Sequence, residues 1–213
     1  MEVWTLALCI LATANMTQGA ATERMPVCVE LVERAEAAGE DPVLVVSMAV
    51  EESSLNPDKV NPRTGAFGLL QAIPKWHCPN GKRKGCDPVE AGFTGMRKWR
   101  KRFPGMAGYH KDPAFLCHYN SGNECYASSR QYARNIMKRV HAWRPRLDVS
   151  RELWREEQAP TAGGKLRIIL DSEPKLPLPL LGAPRRRPTE AETSFIITRE
   201  DALRALERRR TRP

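Results

Sequence analysis

The chain has 213 residues, with 34 Lys and Arg against 25 Asp and Glu, for a formal net charge of +9. At 41% hydrophobic residues it can bury a core, which excludes wholesale disorder, and the length suits one domain with appendages. Mean hydropathy is −0.49, no apolar run reaches the ~18 residues of a membrane-spanning helix, and no period signals a solenoid, a collagen or a coiled-coil rod. The basic excess suits an acidic partner: nucleic acid, an anionic membrane or a cell-wall polymer. No zinc-finger spacing, RNA-binding signature or basic-region heptad accompanies it, so nucleic acid is not the expected partner.

Trp4–Ala14 is an apolar run, followed by Thr17, Gln18 and the small residues Gly19-Ala20-Ala21. Small residues at the last and third-last positions suit a signal peptidase, so residues 1–21 read as a signal peptide ending at Ala21. The segment before the apolar run has Glu2 and no Lys or Arg, and the competing reading is a buried N-terminal helix. Export implies a periplasmic or secreted protein with no transmembrane segment once matured.

The next region, residues 25–145, reads as mainly α. A helix is expected over Pro26–Ala38, with Cys28, Leu31, Val32 and Ala35 on one face and Gly39 beyond its end. Asp41-Pro42 has a capping residue followed by a first-turn proline, and opens a helix that ends near Ser53. Asp87-Pro88-Val89-Glu90 repeats the signal, with Val89, Phe93, Met96 and Phe103 on its apolar face. Asp112-Pro113 is expected to start a short helix with Phe115, Leu116 and Tyr119. Ser128 or Ser129 is expected to cap a last one, with Tyr132, Ile136, Val140 and Trp143 on one side.

After Pro145 the composition shifts. Residues 146–213 form a Pro/Arg-rich tail, irregular and partly disordered, with a lone strand at Lys165–Leu170 and a charged helix at Arg199–Arg210 as its only candidate elements.

Of the six cysteines, loss of a signal would remove Cys9 and leave five, enough for two bridges and one free thiol. Cys78 and Cys86 flank a Gly- and Lys-rich loop with little else to order it. A bridge there would contribute on the order of 2–3 kcal/mol through the unfolded state. Cys28, Cys117 and Cys125 compete for the second bridge. The spacing of Cys78 and Cys86 beside His77 is not a standard ligand pattern, so no metal is expected.

Three segments carry chemistry. In the first, Glu51-Glu52-Ser53-Ser54-Leu55-Asn56-Pro57, Glu52 shares a helix face with Val45, Met48 and Ala49. A carboxyl on such a face is partly desolvated, which raises its pKa toward that of a general acid. The face of Glu51, with Leu44, Ser47 and Met48, is more mixed. The second is Gly65-Ala66-Phe67-Gly68-Leu69-Leu70-Gln71-Ala72-Ile73-Pro74. Its glycines allow close backbone approach, and Gln71 both donates and accepts. The third is His118-Tyr119-Asn120-Ser121-Gly122 with Tyr132 downstream. An aromatic ring to stack on a sugar and an amide to read hydroxyls suit a polyol.

In series, Glu-Ser-x-x-Asn-Pro, Gly-Ala-x-Gly-Leu-x-Gln-x-x-Pro, Tyr-Asn-x-Gly and a later Tyr resemble the soluble lytic transglycosylase (SLT) family, itself similar to goose-type lysozyme. The match spans about residues 40–142. The resemblance implies a mainly α, lysozyme-like domain acting on the glycan strands of peptidoglycan without a cofactor. It makes Glu52 the sole acid/base and implies a 1,6-anhydro product. Ser53 would orient that carboxyl or the muramic acyl group, and Gln71, Tyr119, Asn120 and Tyr132 would line the cleft. Such domains serve wall turnover, export, conjugation and phage entry, which makes envelope-spanning machinery a candidate partner for the tail. Three features depart from the family: Leu70 where Met is frequent, His118 where Ala is, and a longer, more basic loop over Lys75–Cys86.

Overall fold

A computed structural model describes residues 3–107 and 112–158. Seven helices are present among them: α1 (Val3–Thr13), α2 (Gln18–Ala37), α3 (Pro42–Ser53), α4 (Pro74–His77), α5 (Pro88–Arg102), α6 (Ala114–Ser121) and α7 (Ala127–Gln158). A two-residue antiparallel ribbon, β1 (Met106–Ala107) with β2 (Asp112–Pro113), precedes α6. The mainly α, lysozyme-like fold class expected from the sequence is the one observed. Tail candidates at Lys165–Leu170 and Arg199–Arg210 lie outside the described residues.

The local helix signals act as expected where capping chemistry is complete. Asp41 accepts from the Val43 and Leu44 amides at the start of α3, and Asp87 accepts from Val89 and Glu90 at the start of α5, each with proline in the first turn. Gly39 lies just past the end of α2 with φ +69°.

Other boundaries move. Helix α2 begins at Gln18 behind a Thr17 cap, so Pro26 lies inside it rather than at its start. Asp112 and Pro113 pair in β2, and α6 starts without a side-chain cap. Ser129 is buried inside α7, which starts at Ala127. Helix α7 also runs through Pro145, and Leu147 joins the core, so the change in composition at 145 is not a structural boundary.

Helix α3 is the centre of the core. Val45, Val46, Met48 and Ala49 are fully buried, and it packs against α2, α7 and α1. The N-terminal segment forms α1 and the start of α2, with Leu8 and Cys9 inaccessible and Ala21 almost so.

Three disulfides join Cys9 to Cys28, Cys78 to Cys86 and Cys117 to Cys125. The expected Cys78–Cys86 bridge is present. With residues 1–21 present Cys9 pairs with Cys28, whereas the count of two bridges and one free thiol applies to a chain without Cys9, in which Cys28 would be the unpaired one. The Cys78–Cys86 loop also has a small apolar cluster beneath it, of Phe67, Ala72, Cys78 and Ala91.

Helix α5 reaches the centre through two glycines. A Cβ on Gly92 would lie 2.6 Å from Leu70 Cβ, and one on Gly95 would lie 3.1 Å from both the His77 and Tyr119 rings. Leu70 cannot rotate its Cβ away. Gly92→Ala should therefore cost about 1–3 kcal/mol by overpacking, read as a lower urea midpoint at unchanged slope. An unchanged midpoint would show that the Leu70 turn yields freely.

Candidate active site

Helix α3 ends abruptly. Ser54 and Leu55 both take left-handed backbone, at φ 54° and 58°, and their amides return to the carbonyls of Val50 and Ala49. Two successive non-glycine residues in this region cost roughly 1–2 kcal/mol each. Leu55 is fully buried, which offsets part of that cost. The turn leaves Glu51 and Glu52 on the last helical turn, facing α7.

The two carboxylates have different surroundings. Glu51 forms an ion pair with Arg139 at 2.5 Å and accepts from Asn135 Nδ2 at 2.9 Å. Glu52 is half-buried and accepts from the Tyr132 hydroxyl at 2.6 Å. Burial pushes the Glu52 pKa from 4.5 up to about 7, the Tyr132 hydrogen bond and the charge of Lys59 pull it back, and the charge of Glu51 adds to the rise. Burial and the neighbouring Glu52 hold the Tyr119 and Tyr132 hydroxyls well above the usual phenol range, so both remain donors. A carboxyl balanced near neutrality can give a proton and take one back under the same conditions.

The Gly65–Pro74 loop folds back on itself through backbone pairs between Phe67 and Ala72. The Gly68 amide and the Gln71 side-chain amide both donate to Lys59 O, which fixes the segment carrying the lysine that acts on Glu52. Gly68 is obligatory, with φ +75° and a Cβ position 2.5 Å from Pro88 Cβ. Tyr119 donates to Leu70 O at 2.7 Å and stacks on His77. His77 Nδ1 accepts from the Ile73 amide, which places the ring proton on Nε2. Burial and nearby Lys98 lower its pKa, in keeping with that neutral tautomer.

Of the residues singled out in the sequence, Glu52, Tyr119 and Tyr132 converge. Asn120 is exposed beside Tyr119 on α6. Ser53 is buried and donates back to Ala49 O, so its hydroxyl proton is held within the helix rather than offered to the Glu52 carboxyl or a muramic acyl group. Both bonds of the Gln71 amide nitrogen brace its own loop, to Lys59 O and Gly68 O, and leave the side-chain oxygen for a ligand. His118 is packed against Phe103 and Trp99 and hydrogen-bonded to Gly122 O, closing the end of α6. Among the described residues no group of three or more His, Cys, Asp or Glu could hold a metal ion.

The family described as transglycosylase SLT domain matches residues 31–141, just over half of the chain. This chain belongs to the SLT family. No curated protein and no solved structure matches it. At the family level it is a transglycosylase-type enzyme of peptidoglycan. The SLT segment holds Glu52 on α3, Tyr119 on α6 and Tyr132 on α7, whereas α1 lies before it.

Four residues around the candidate site were not singled out as functional in the sequence: Ser47, Lys59, Asn135 and Arg139. Ser47 donates to Ile136 O across the α3–α7 contact. Asn135 and Arg139 stand three and seven residues after Tyr132, on one helical stripe, so the spacing itself carried the signal.

The Glu52 shift has a stability consequence. Its raised folded pKa means the native state holds this proton more tightly than the unfolded chain does. The resulting penalty is absent below about pH 4.5, grows between 4.5 and 7, and is complete above 7. Glu52→Gln should thus be more stable than the parent by about 1–3 kcal/mol at pH 8 and close to it at pH 4. Urea unfolding at the two pH values checks this, and an equal difference at both would contradict it.

Proposed function

We propose that this chain is a lytic transglycosylase that cuts the β-1,4 bond between N-acetylmuramic acid and N-acetylglucosamine, with Glu52 as its one acid and base. The observation that carries the reading is the Glu52 carboxyl, raised by burial to about pKa 7 and held by Tyr132, while its neighbour Glu51 is paired with Arg139 and Asn135. Most glycosidases use two carboxylates. A single one suits a reaction in which the proton donated in the first step is recovered in the second.

In the first step protonated Glu52 gives its proton to the glycosidic oxygen, the bond from that oxygen to the muramic C1 breaks, and the N-acetylglucosamine side leaves as an alcohol. Glu52 is then a carboxylate facing a cationic C1. It takes the proton of the muramic C6 hydroxyl as that oxygen bonds to C1, which closes the 1,6-anhydro ring and returns Glu52 to its acid form. No water is consumed and no cofactor is required. The Tyr132 hydroxyl stabilises the transient carboxylate, and Lys59 adds positive charge. Tyr119 and Tyr132 border the carboxyl, with Asn120 and the free oxygen of Gln71 as readers of sugar hydroxyls. Three disulfides support placement in an oxidising compartment, the periplasm or outside the cell. Its Pro/Arg-rich composition makes the tail beyond residue 158 the segment to dock envelope machinery.

Mass spectrometry of products from purified sacculi tests the chemistry. The expected fragments lack one water relative to hydrolysis products, and Glu52→Gln should lose at least about 10²–10⁴-fold in rate, with Glu51→Gln losing far less. Fragments with an ordinary reducing end would make the enzyme a muramidase. Binding without any fragment would make the protein a wall-binding assembly component.

A further inference from the structure

Away from Glu52, the short helix α4, the Cys78–Cys86 loop and the start of α5 border a groove of about 450 Å³, lined in part by Trp76, His77, Pro79, Gly85, Asp87 and Glu90. Trp76 is 58% exposed, which among the large apolar side chains of the described residues only Val60 and Tyr126 approach. A single exposed aromatic is ordinary by itself. Here three further features coincide with it.

The first is charge. The two acids of the groove are neutralised, Asp87 by Arg34 at 2.8 Å and Glu90 by Arg97 at 2.5 Å. Lys75 and Lys98 have no carboxylate partner among the described residues, and their ammonium groups lie 4.7 and 5.8 Å from the Trp76 ring centre. The loop adds Lys82, Arg83 and Lys84. An exposed indole with two unneutralised ammonium groups over its ring therefore meets the solvent, and a sugar would take the ring face by drawing these lysines to its own carboxylates.

The second is rigidity. The loop is closed by a disulfide over its own small core, and α4 is tied down by the bond from the Ile73 amide to His77. A preformed surface loses little entropy on binding. The third is continuity with the candidate active site. His77 follows Trp76 and stacks on Tyr119, with ring centres 6.3 Å apart, and Tyr119 senses the charge of Glu52. One extended polymer could engage both places.

We propose that Trp76, with Lys75 and Lys98, is a second binding site for the peptidoglycan strand, in which the indole stacks on a sugar ring and the lysines meet the carboxylates of the stem peptides. The inference rests on the peptidoglycan reading above and extends it from the cut bond to the strand around it. The indole supplies a flat apolar face for the C–H face of a pyranose, and the lysines select strands that still carry peptide. The site supplies affinity and orientation for the substrate, while the bond is cut elsewhere.

Co-sedimentation with purified sacculi tests the site, using Glu52→Gln protein so that the strands stay whole. Adding Trp76→Ala should raise the Kd about tenfold, the scale of one aromatic hot spot, and Trp76→Phe should retain most of the binding. Replacing Lys75 and Lys98 by Ser should weaken binding to intact sacculi but not to sacculi stripped of stem peptide by an amidase. An unchanged Kd in Trp76→Ala, with its unfolding midpoint unchanged, would overturn the site. An equal lysine effect on both kinds of sacculi would overturn the peptide assignment. Product analysis on the parent protein stands apart: Trp76-dependent binding without any cut strand would refute the enzymatic reading and keep the site.

Discussion

The Tyr132 hydroxyl meets Glu52 Oε1 at 2.6 Å across the packed faces of α3 and α7, and the candidate site depends on that contact. Two opposing effects act on the carboxyl. Burial disfavours its charge, whereas a buried phenol that cannot ionise itself offers the charge one strong donor. The result is a group near neutrality in a position where an exposed glutamate would be ionised and a fully apolar pocket would keep it protonated. The surrounding interface is cross-linked to hold this arrangement. Ser47 ties α3 to the Ile136 carbonyl, and Glu51 ties the same turn to Asn135 and Arg139. The adjacent glutamates thus have different surroundings: Glu51 fastens the helices, and burial holds Glu52 near neutrality.

A second set of constraints brings the remaining parts to that carboxyl. Gly92 and Gly95 let α5 come close enough for Leu70 and Tyr119 to pack upon it. Tyr119 then bonds the Leu70 carbonyl, and Gln71 and Gly68 hold the Lys59 segment through a shared acceptor. On the far side, Glu40 is buried with Arg100 at 2.9 Å, which pins α5 to the turn between α2 and α3. The Tyr119–Leu70 and Arg100–Glu40 contacts join irregular chain to helices, while the Lys59 bonds tie loop to loop, so the irregular chain near the carboxyl is braced against rigid elements. The exposed Asn120 and Trp76 lie on short helices of this frame, as side chains that meet a polymer must.

Much of this was legible because the signals are local. Asp41-Pro42 and Asp87-Pro88 each contain a capping oxygen and a fixed φ within two residues, so no distant partner was needed to read them. The three site motifs were legible in series, and Glu52 was distinguished from Glu51 by the apolar company on its own helix face. Pro26 misled because a proline tolerated within a helix looks like one that starts it. Pairing of Cys9 with Cys28 was hidden because the apolar N-terminal run resembles an export signal as much as a core helix, and only tertiary packing brings the two cysteines together. The bonds of Ser53 and Gln71 go to backbone carbonyls, which have no sequence signature. Asn135 and Arg139 were readable in principle, from their helical register with Tyr132, once one asked what stood opposite Glu51.

The central claim is that the fold alone, before any substrate binds, sets Glu52 to titrate near neutrality. An NMR titration of the free protein, labelled with carbon-13 at the glutamate side-chain carboxyls, measures that property directly. The Glu52 resonance, assigned by its disappearance in Glu52→Gln, should have its midpoint near pH 7. A midpoint near 4.5 would show that burial does not hold the proton on this carboxyl, and would contradict the account at its base.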